Sequence, residues 1–133
     1  MITNLAHVCF RVSDLERSLH FYCDLLGLAP AFEFRNAEGR RFGQYVHLSG
    51  RSFIELFEAQ LGAPAEGQSY GHICLEVKDI EGTARALRER GVEVTEIKLG
   101  RDQSYQAWLS DPDGNRIEIH DYTPQSWQAP WLR

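Results

Sequence analysis

No stretch of this chain approaches the ~20 consecutive apolar residues that a membrane-spanning helix needs, and no run of Lys or Arg occurs in it. The first absence sets aside a helical membrane anchor. The second, together with a net charge of −5, sets aside a surface that tracks nucleic-acid phosphates. Cysteine is scarce as well: three residues, an odd number without framework spacing, which suits free thiols in a reducing compartment. The opening residues Met1-Ile2-Thr3-Asn4-Leu5 lack a basic region followed by an apolar core, so no secretory signal is expected. What remains is ordinary. The 133 residues, 43% hydrophobic and 25% charged, suffice for one compact domain or two small modules sharing a core. The expectation is a soluble, acidic, cytoplasmic protein.

Against that plain background the chain repeats itself. Ala6-His7-Val8-Cys9-Phe10-Arg11-Val12 returns as Gly71-His72-Ile73-Cys74-Leu75-Glu76-Val77. At the same offset Asp14 and Glu16 return as Asp79 and Glu81, and further on Ile54-Glu55-Leu56 returns as Ile117-Glu118-Ile119. Each half therefore begins with a histidine and ends with a glutamate.

The pattern in each half predicts a strand, a helix and then three strands. His7 to Val12 alternates, with Val8, Phe10 and Val12 on one face and His7, Cys9 and Arg11 on the other. Ser13-Asp14-Leu15-Glu16 has the form of a capping box, and Leu15, Leu19, Tyr22 and Leu26 follow at helical spacing up to Gly27. Extended segments are expected at 31–35, 41–48 and 52–58. In the second half Asp79 caps a helix carrying Ile80, Ala84 and Leu87 that stops at Gly91. Extended segments follow at 93–98, 103–110 and 115–122, with Asp111-Pro112-Asp113-Gly114 as a tight turn between the last two. The organisation is a single domain over 1–133, with module one at about 4–60, module two at about 68–123 and a tail at 124–133. Gly62-Ala63-Pro64-Ala65-Glu66-Gly67 forms the linker. The tail, with Trp127 and Trp131, is expected to be irregular and packed on a neighbour, because exposed tryptophans cost solubility.

Period-two geometry gives the repeated polar residues a shared face. Glu55 is flanked on its side by Phe53 and Phe57, and Glu118 by Arg116 and His120, while the opposite faces are aliphatic and suit packing against helices. The expected fold is α+β: two tandem βαβββ modules whose curved mixed sheet carries His7, Glu55, His72 and Glu118 from four strands into one concave cavity. Two imidazoles with two carboxylates suit a divalent first-row metal such as Ni, Zn, Mn, Fe or Co, with open positions for water or a bidentate substrate. A lone His or Glu on a strand is ordinarily just solvated or hydrogen-bonded. Four of them at duplicated positions are not independent accidents. Cys9 and Cys74 read as small wall residues and His20 as an exposed helix residue; His47 and His120 sit on strands, where a place behind the ligands or against substrate is the lesser of their readings. Phe53, Phe57 and Trp108 form an expected apolar wall that favours an aromatic or thioether substrate.

These residues resemble a known family. His7-Val8-Cys9-Phe10-Arg11-Val12 with Phe21-Tyr22 and Leu26-Gly27-Leu28, then Ile54-Glu55-Leu56, Tyr70-Gly71-His72-Ile73 and Asp111-Pro112-Asp113-Gly114-Asn115-Arg116-Ile117-Glu118, resemble the vicinal-oxygen-chelate superfamily of glyoxalases, bleomycin-resistance proteins and dioxygenases. The pattern is similar to short bacterial glyoxalase I. That resemblance implies metal ligands at His7, Glu55, His72 and Glu118 and a hemithioacetal of glutathione and methylglyoxal as substrate. It further implies proton transfer between adjacent carbons through a metal-bound enediolate, with Glu118 as base, Glu55 as the symmetric alternative, and Arg11 holding a glutathione carboxylate.

Two departures touch the glutathione end and leave the ligand set intact. Ala59 stands where the family has a glutathione-binding asparagine, and Leu99-Gly100-Arg101-Asp102-Gln103-Ser104 lacks the lysine- and glycine-rich loop. Three other roles belong to the same fold: an Fe(II) dioxygenase using two His and one Glu on an aromatic substrate, a metal-free drug-binding resistance protein, and a thiol transferase acting on an antibiotic. The intact quartet favours the isomerase over all three. The resemblance also implies a homodimer, with His7 and Glu55 of one subunit meeting His72 and Glu118 of the other, or the same site built within one chain.

Overall fold

The computed structural model describes residues 1–63 and 66–132; Pro64 and Ala65 of the expected linker lie outside the described residues. The chain divides into two compact units, Met1–Glu66 and Gly67–Arg133. Each is a βαβββ module built on a four-stranded mixed sheet.

The first unit runs β1 (His7–Val12), α1 (Leu15–Leu19), a π-helical turn (His20–Leu25), β2 (Ala29–Arg35), β3 (Arg41–Ser49) and β4 (Ser52–Glu58). Its sheet order is β1-β4-β3-β2, with β1 parallel to β4 and the other pairs antiparallel. The aliphatic face makes the core: Val12, Tyr22, Val46, Ile54 and Leu56 are completely buried. The helix starts one residue later than a Ser13 capping box would place it. Asp14 is the N-cap, its carboxylate accepting the Arg17 N–H at 3.0 Å. The α-helical spacing also breaks after Leu19. Leu26 N–H reaches back five residues to the Phe21 carbonyl at 2.9 Å, and this wider turn lets adjacent Phe21 and Tyr22 both bury.

The second unit runs β5 (Ile73–Glu76), α2 (Ile80–Glu89), β6 (Lys98–Leu99), β7 (Tyr105–Ser110), β8 (Arg116–Asp121) and a 3-10 turn (Ala129–Trp131). The order β5-β8-β7-β6, with β5 parallel to β8, repeats the first sheet. Asp79 caps α2 as expected, accepting the Gly82 N–H at 2.9 Å. Its core includes Ala84, Ala107, Ile117 and Ile119. Gly27 and Gly91 close the two helical segments at φ of +78° and +83°, the left-handed region where glycine carries no steric penalty.

The units share a further device. A carboxylate on the last strand of each sheet accepts the first N–H of its helix: Leu15 N–H to Glu58 Oε2 at 3.2 Å, and Ile80 N–H to Asp121 Oδ2 at 3.0 Å. Each satisfies one of the donors a helix start leaves free, and each places negative charge where the helix dipole favours it.

Two expectations need correction. The segment 93–98 is a strand only at Lys98–Leu99. Thr95 Oγ1 accepts the Trp108 N–H at 2.9 Å, and the Arg88 guanidinium takes the carbonyls of Val94 and Thr95 at 3.1 and 2.7 Å. Side chains thus occupy groups that a ladder would pair. The tail, in turn, is held by polar residues rather than by its tryptophans. Ser126 is buried and bonded to Ser104 Oγ at 2.8 Å, while Trp127 and Trp131 are 61% and 79% exposed.

Candidate metal centre

In the first unit strand register carries the reactive residues to one face. His7, Cys9 and Arg11 on β1 lie beside Phe53, Glu55 and Phe57 on β4. Next come His47, Tyr45 and Gly43 on β3. His7 Nε2 stands 3.4 Å from Glu55 Oε2, and Tyr45 Oη is 3.4 Å from His7 Nδ1. Desolvation and then the nearby Glu55 carboxylate push the Cys9 thiol and the Tyr45 phenol upward, so both stay protonated beside it.

The rest of this face is aromatic. Phe32 stacks on Tyr45 with centroids 4.5 Å apart, Tyr45 meets Phe53 at 5.7 Å, and Phe34 meets Phe57 at 5.1 Å. Gly43 makes room for this floor: a Cβ there would come within 2.4 Å of the Phe57 ring. Arg11 is exposed at the end of β1, opposite Phe57 in register. His47 is turned to its own hairpin, its Nε2 3.1 Å from the Gly50 carbonyl. His20 is exposed as expected and pairs with Asp24 one helical turn on, at 2.8 Å.

The second unit holds its pair more tightly. His72, one residue ahead of β5 rather than within it, places Nε2 2.9 Å from Glu118 Oε2. The other carboxylate oxygen, Oε1, lies 3.2 Å from Nε2 of His120, and the same nitrogen lies 3.8 Å from Asp102 Oδ2. Glu118 and His120 are both buried, at 7% and 8% exposure. Trp108 closes the other side. Its ring meets His72 edge-on at 4.7 Å and carries the Arg116 guanidinium 4.2 Å above it.

Cys74 joins this group, its sulfur lying with donor atoms of Glu118 and His120 inside a 4.8 Å cluster. Although the residue as a whole is exposed, its sulfur is crowded. Desolvation first, then the Glu118 charge and hydrogen bond, push the thiol up to about 12. It is a proton donor to Glu118, not a nucleophile. Asp102 is held in place from behind. Gln128 Nε2 donates to Asp102 Oδ2 at 2.6 Å and Ser104 N–H to Oδ1 at 3.3 Å, which keeps this carboxyl below the usual carboxylate range. Neither Asp102 nor Gln128 stood out in the sequence, because nothing in their spacing ties them to Glu118.

Both pairs have donor chemistry and spacing that fit a divalent metal. Two donors bonded to one ion at ~2.0–2.2 Å stand roughly 3 Å apart, and the two His–Glu separations are 3.4 and 2.9 Å. Residues 4–119 match the family model described as the Glyoxalase/Bleomycin resistance protein/Dioxygenase superfamily. The chain belongs to this superfamily. Among its relatives is a probable lactoylglutathione lyase of Synechocystis sp., 34% identical over 125 residues that cover 86% of this chain and 92% of that one. The lactoylglutathione lyase of Haemophilus influenzae is 34% identical over 123 residues, covering 86% and 90%. A solved structure, that of TnmS3, an antibiotic binding protein from Streptomyces sp. CB03234, superposes with a TM-score of 0.75 at 26% identity, covering 92% of this chain and 98% of that one.

Proposed function

We propose that this chain is a divalent-metal-dependent enzyme of the glyoxalase I type that isomerises a hemithioacetal to the thioester of a 2-hydroxy acid. The observation that carries this reading is the duplicated His–Glu pair at ligand spacing, His7 with Glu55 and His72 with Glu118. Similarity to two lactoylglutathione lyases supports it. His7, Glu55, His72 and Glu118 are the proposed ligands. A bound ion of Ni, Zn, Mn, Co or Fe would polarise the substrate oxygens and stabilise developing negative charge.

The remaining work falls to side chains. Glu118 takes the proton from the carbon that bears sulfur, and the electron pair left behind forms an enediolate. The same carboxyl returns the proton to the adjacent carbon, while the proton of the original hydroxyl passes to the former ketone oxygen, so the hydroxyl becomes the thioester carbonyl, the ketone becomes the new hydroxyl and no atom is gained or lost. Glu55 is the symmetric alternative base. Phe53, Phe57 and Trp108 are the proposed apolar wall for the substrate, and Arg11 is the proposed partner of a substrate carboxylate. A homodimer is part of the proposal, as is a cytoplasmic setting, which the three unpaired cysteines suit. No helix among the described residues is long and apolar enough to cross a membrane.

The test is metal analysis of the purified protein, then turnover of the methylglyoxal–glutathione hemithioacetal after loading with each ion. Activity with bound metal is expected. Metal without turnover under any ion would overturn the isomerase reading. A second reading, binding of an aromatic compound, is favoured by the ring floor around Tyr45 and by the similarity to TnmS3. Oxygen uptake with aromatic substrates would distinguish an oxygenase from a binding protein in that case.

A further inference from the structure

The two glutamates occupy equivalent positions, yet only one of them is held by a neighbour on its own strand. Two residues after Glu118 on β8 comes His120, and two residues after Glu55 on β4 comes Phe57. His120 is buried at 8% exposure, a costly place for an imidazole unless its N–H finds an acceptor. Its Nε2 faces two carboxylates, Glu118 Oε1 at 3.2 Å and Asp102 Oδ2 at 3.8 Å. The nearer carboxylate, within hydrogen-bond reach, favours the tautomer with its proton on Nε2, and the charge of Asp102 at longer range adds to that preference. Asp102 is not adjustable either. Gln128 from the tail and the Ser104 N–H fix it from behind, and the buried Ser104–Ser126 hydrogen bond ties the tail to the same loop.

From this geometry we infer that His120 is a positioning residue: its Nε2–H, steered by the tail-anchored Asp102, holds Glu118 Oε1 and leaves Oε2 alone to face His72 and the reaction. The inference rests on the proposed role of Glu118 as base and extends it. A base that removes a proton from one carbon and delivers it to the next must occupy one place through both steps, and a carboxylate free to rotate does not. Holding one oxygen makes the other the only one that serves. Outer hydrogen-bond partners of this kind set the orientation of the group that touches metal or substrate. Glu55, with Phe57 in the matching place, has no such partner on its strand and takes its neighbours from the adjacent strands, Cys9 and Tyr45, so the two glutamates are held in unlike ways.

Four variants and one spectrum test it. In His120→Leu, kcat for the hemithioacetal should fall about 10- to 100-fold, the usual consequence of losing an outer partner, while KM stays within about twofold. His120→Gln, which keeps a donor of similar reach, should recover most of that loss. Asp102→Asn should fall between the two. If His120 only fills space, Leu should serve as well as Gln, and equal activity in the two variants overturns the inference. Glu118→Gln is the separate control for the reading beneath it: full activity there discards Glu118 as base, whatever His120 does. Should the protein turn over no hemithioacetal, zinc affinity replaces kcat as the readout, with a loss of about tenfold in Leu and little in Gln. Proton–nitrogen correlation spectroscopy of the metal-free wild type reads the tautomer independently of both. A proton on Nε2 of His120 is required, and a proton on Nδ1 alone overturns the assignment.

Discussion

The first unit devotes its reactive face to rings, and the second devotes the same face to charge. Around Glu55 stand Phe53, Tyr45 and Phe32, in contact across three strands, with Phe57 joined to them through Phe34. Around Glu118 stand His72, His120, Cys74 and Arg116, with Asp102 behind them. The scaffolds beneath are equivalent: the same strand order, the same helix-starting carboxylate and the same glycine stop. The two units share their frame, their His–Glu pair and the cysteine two residues after each histidine, and they differ two residues either side of the glutamate, Phe53 and Phe57 against Arg116 and His120. In the proposed reaction, sameness of the pairs serves a metal, and difference around them serves substrate and proton.

That contrast can be broken or sharpened by experiment. The largest effect should come from neutralising the two glutamates in turn. Glu118→Gln is expected to lower kcat by roughly 10²–10⁴-fold, the span of general base catalysis. Glu55→Gln should cost less in kcat and show mainly as weaker metal retention. Steady-state kinetics with metal analysis on the same samples reads both, and equal losses in kcat would mean that the units share the base role.

A smaller and symmetrical effect is expected from the helix starts. Glu58→Gln and Asp121→Asn each remove a charged acceptor from a helix N–H and should each destabilise the protein by on the order of 1 kcal/mol in urea unfolding. A loss in only one of them would show that the frames are less alike than their geometry. Arg40 also pairs with Glu58, so that side has the more crowded arrangement.

The smallest difference lies in the thiols. With its thiol pushed up to about 12, Cys74 is roughly one part in ten thousand thiolate at pH 8. In metal-free protein iodoacetamide should modify Cys74 more slowly than Cys9, and the Cys74 rate should still be rising at pH 10. Peptide mass spectrometry after timed labelling measures both. Fast labelling of Cys74 at pH 7 would remove the proton it is taken to share with Glu118.

Much of this was legible in the linear sequence because parity along a strand is a local property. The alternation around His7, Glu55 and Glu118 fixed which side chains share a face, and the Asp79 cap and the Gly27 and Gly91 stops marked helix ends. The α+β fold of two βαβββ modules followed from the repeat and matches the observed order. What escaped depends on contacts between residues far apart in the chain. The shortening of β6 is decided by Arg88 and by the Thr95 hydroxyl, which no alternation pattern reports. The π-helical turn arises because Phe21 and Tyr22 both need burial. The support behind Glu118 passes from Gln128 through Asp102 to His120, and each link joins segments that look ordinary alone. The aromatic floor was half visible: Phe53 and Phe57 flank Glu55 in sequence, whereas Phe32, Phe34 and Tyr45 reach it only through strand register.

Gly43 lies beneath the Phe57 ring, with no space there for a Cβ. The two positions are therefore coupled in descent. A lineage that acquires a side chain at residue 43 must shift the ring at 57 or give it up, and once residue 43 is filled, phenylalanine at 57 alone does not restore the same ring floor.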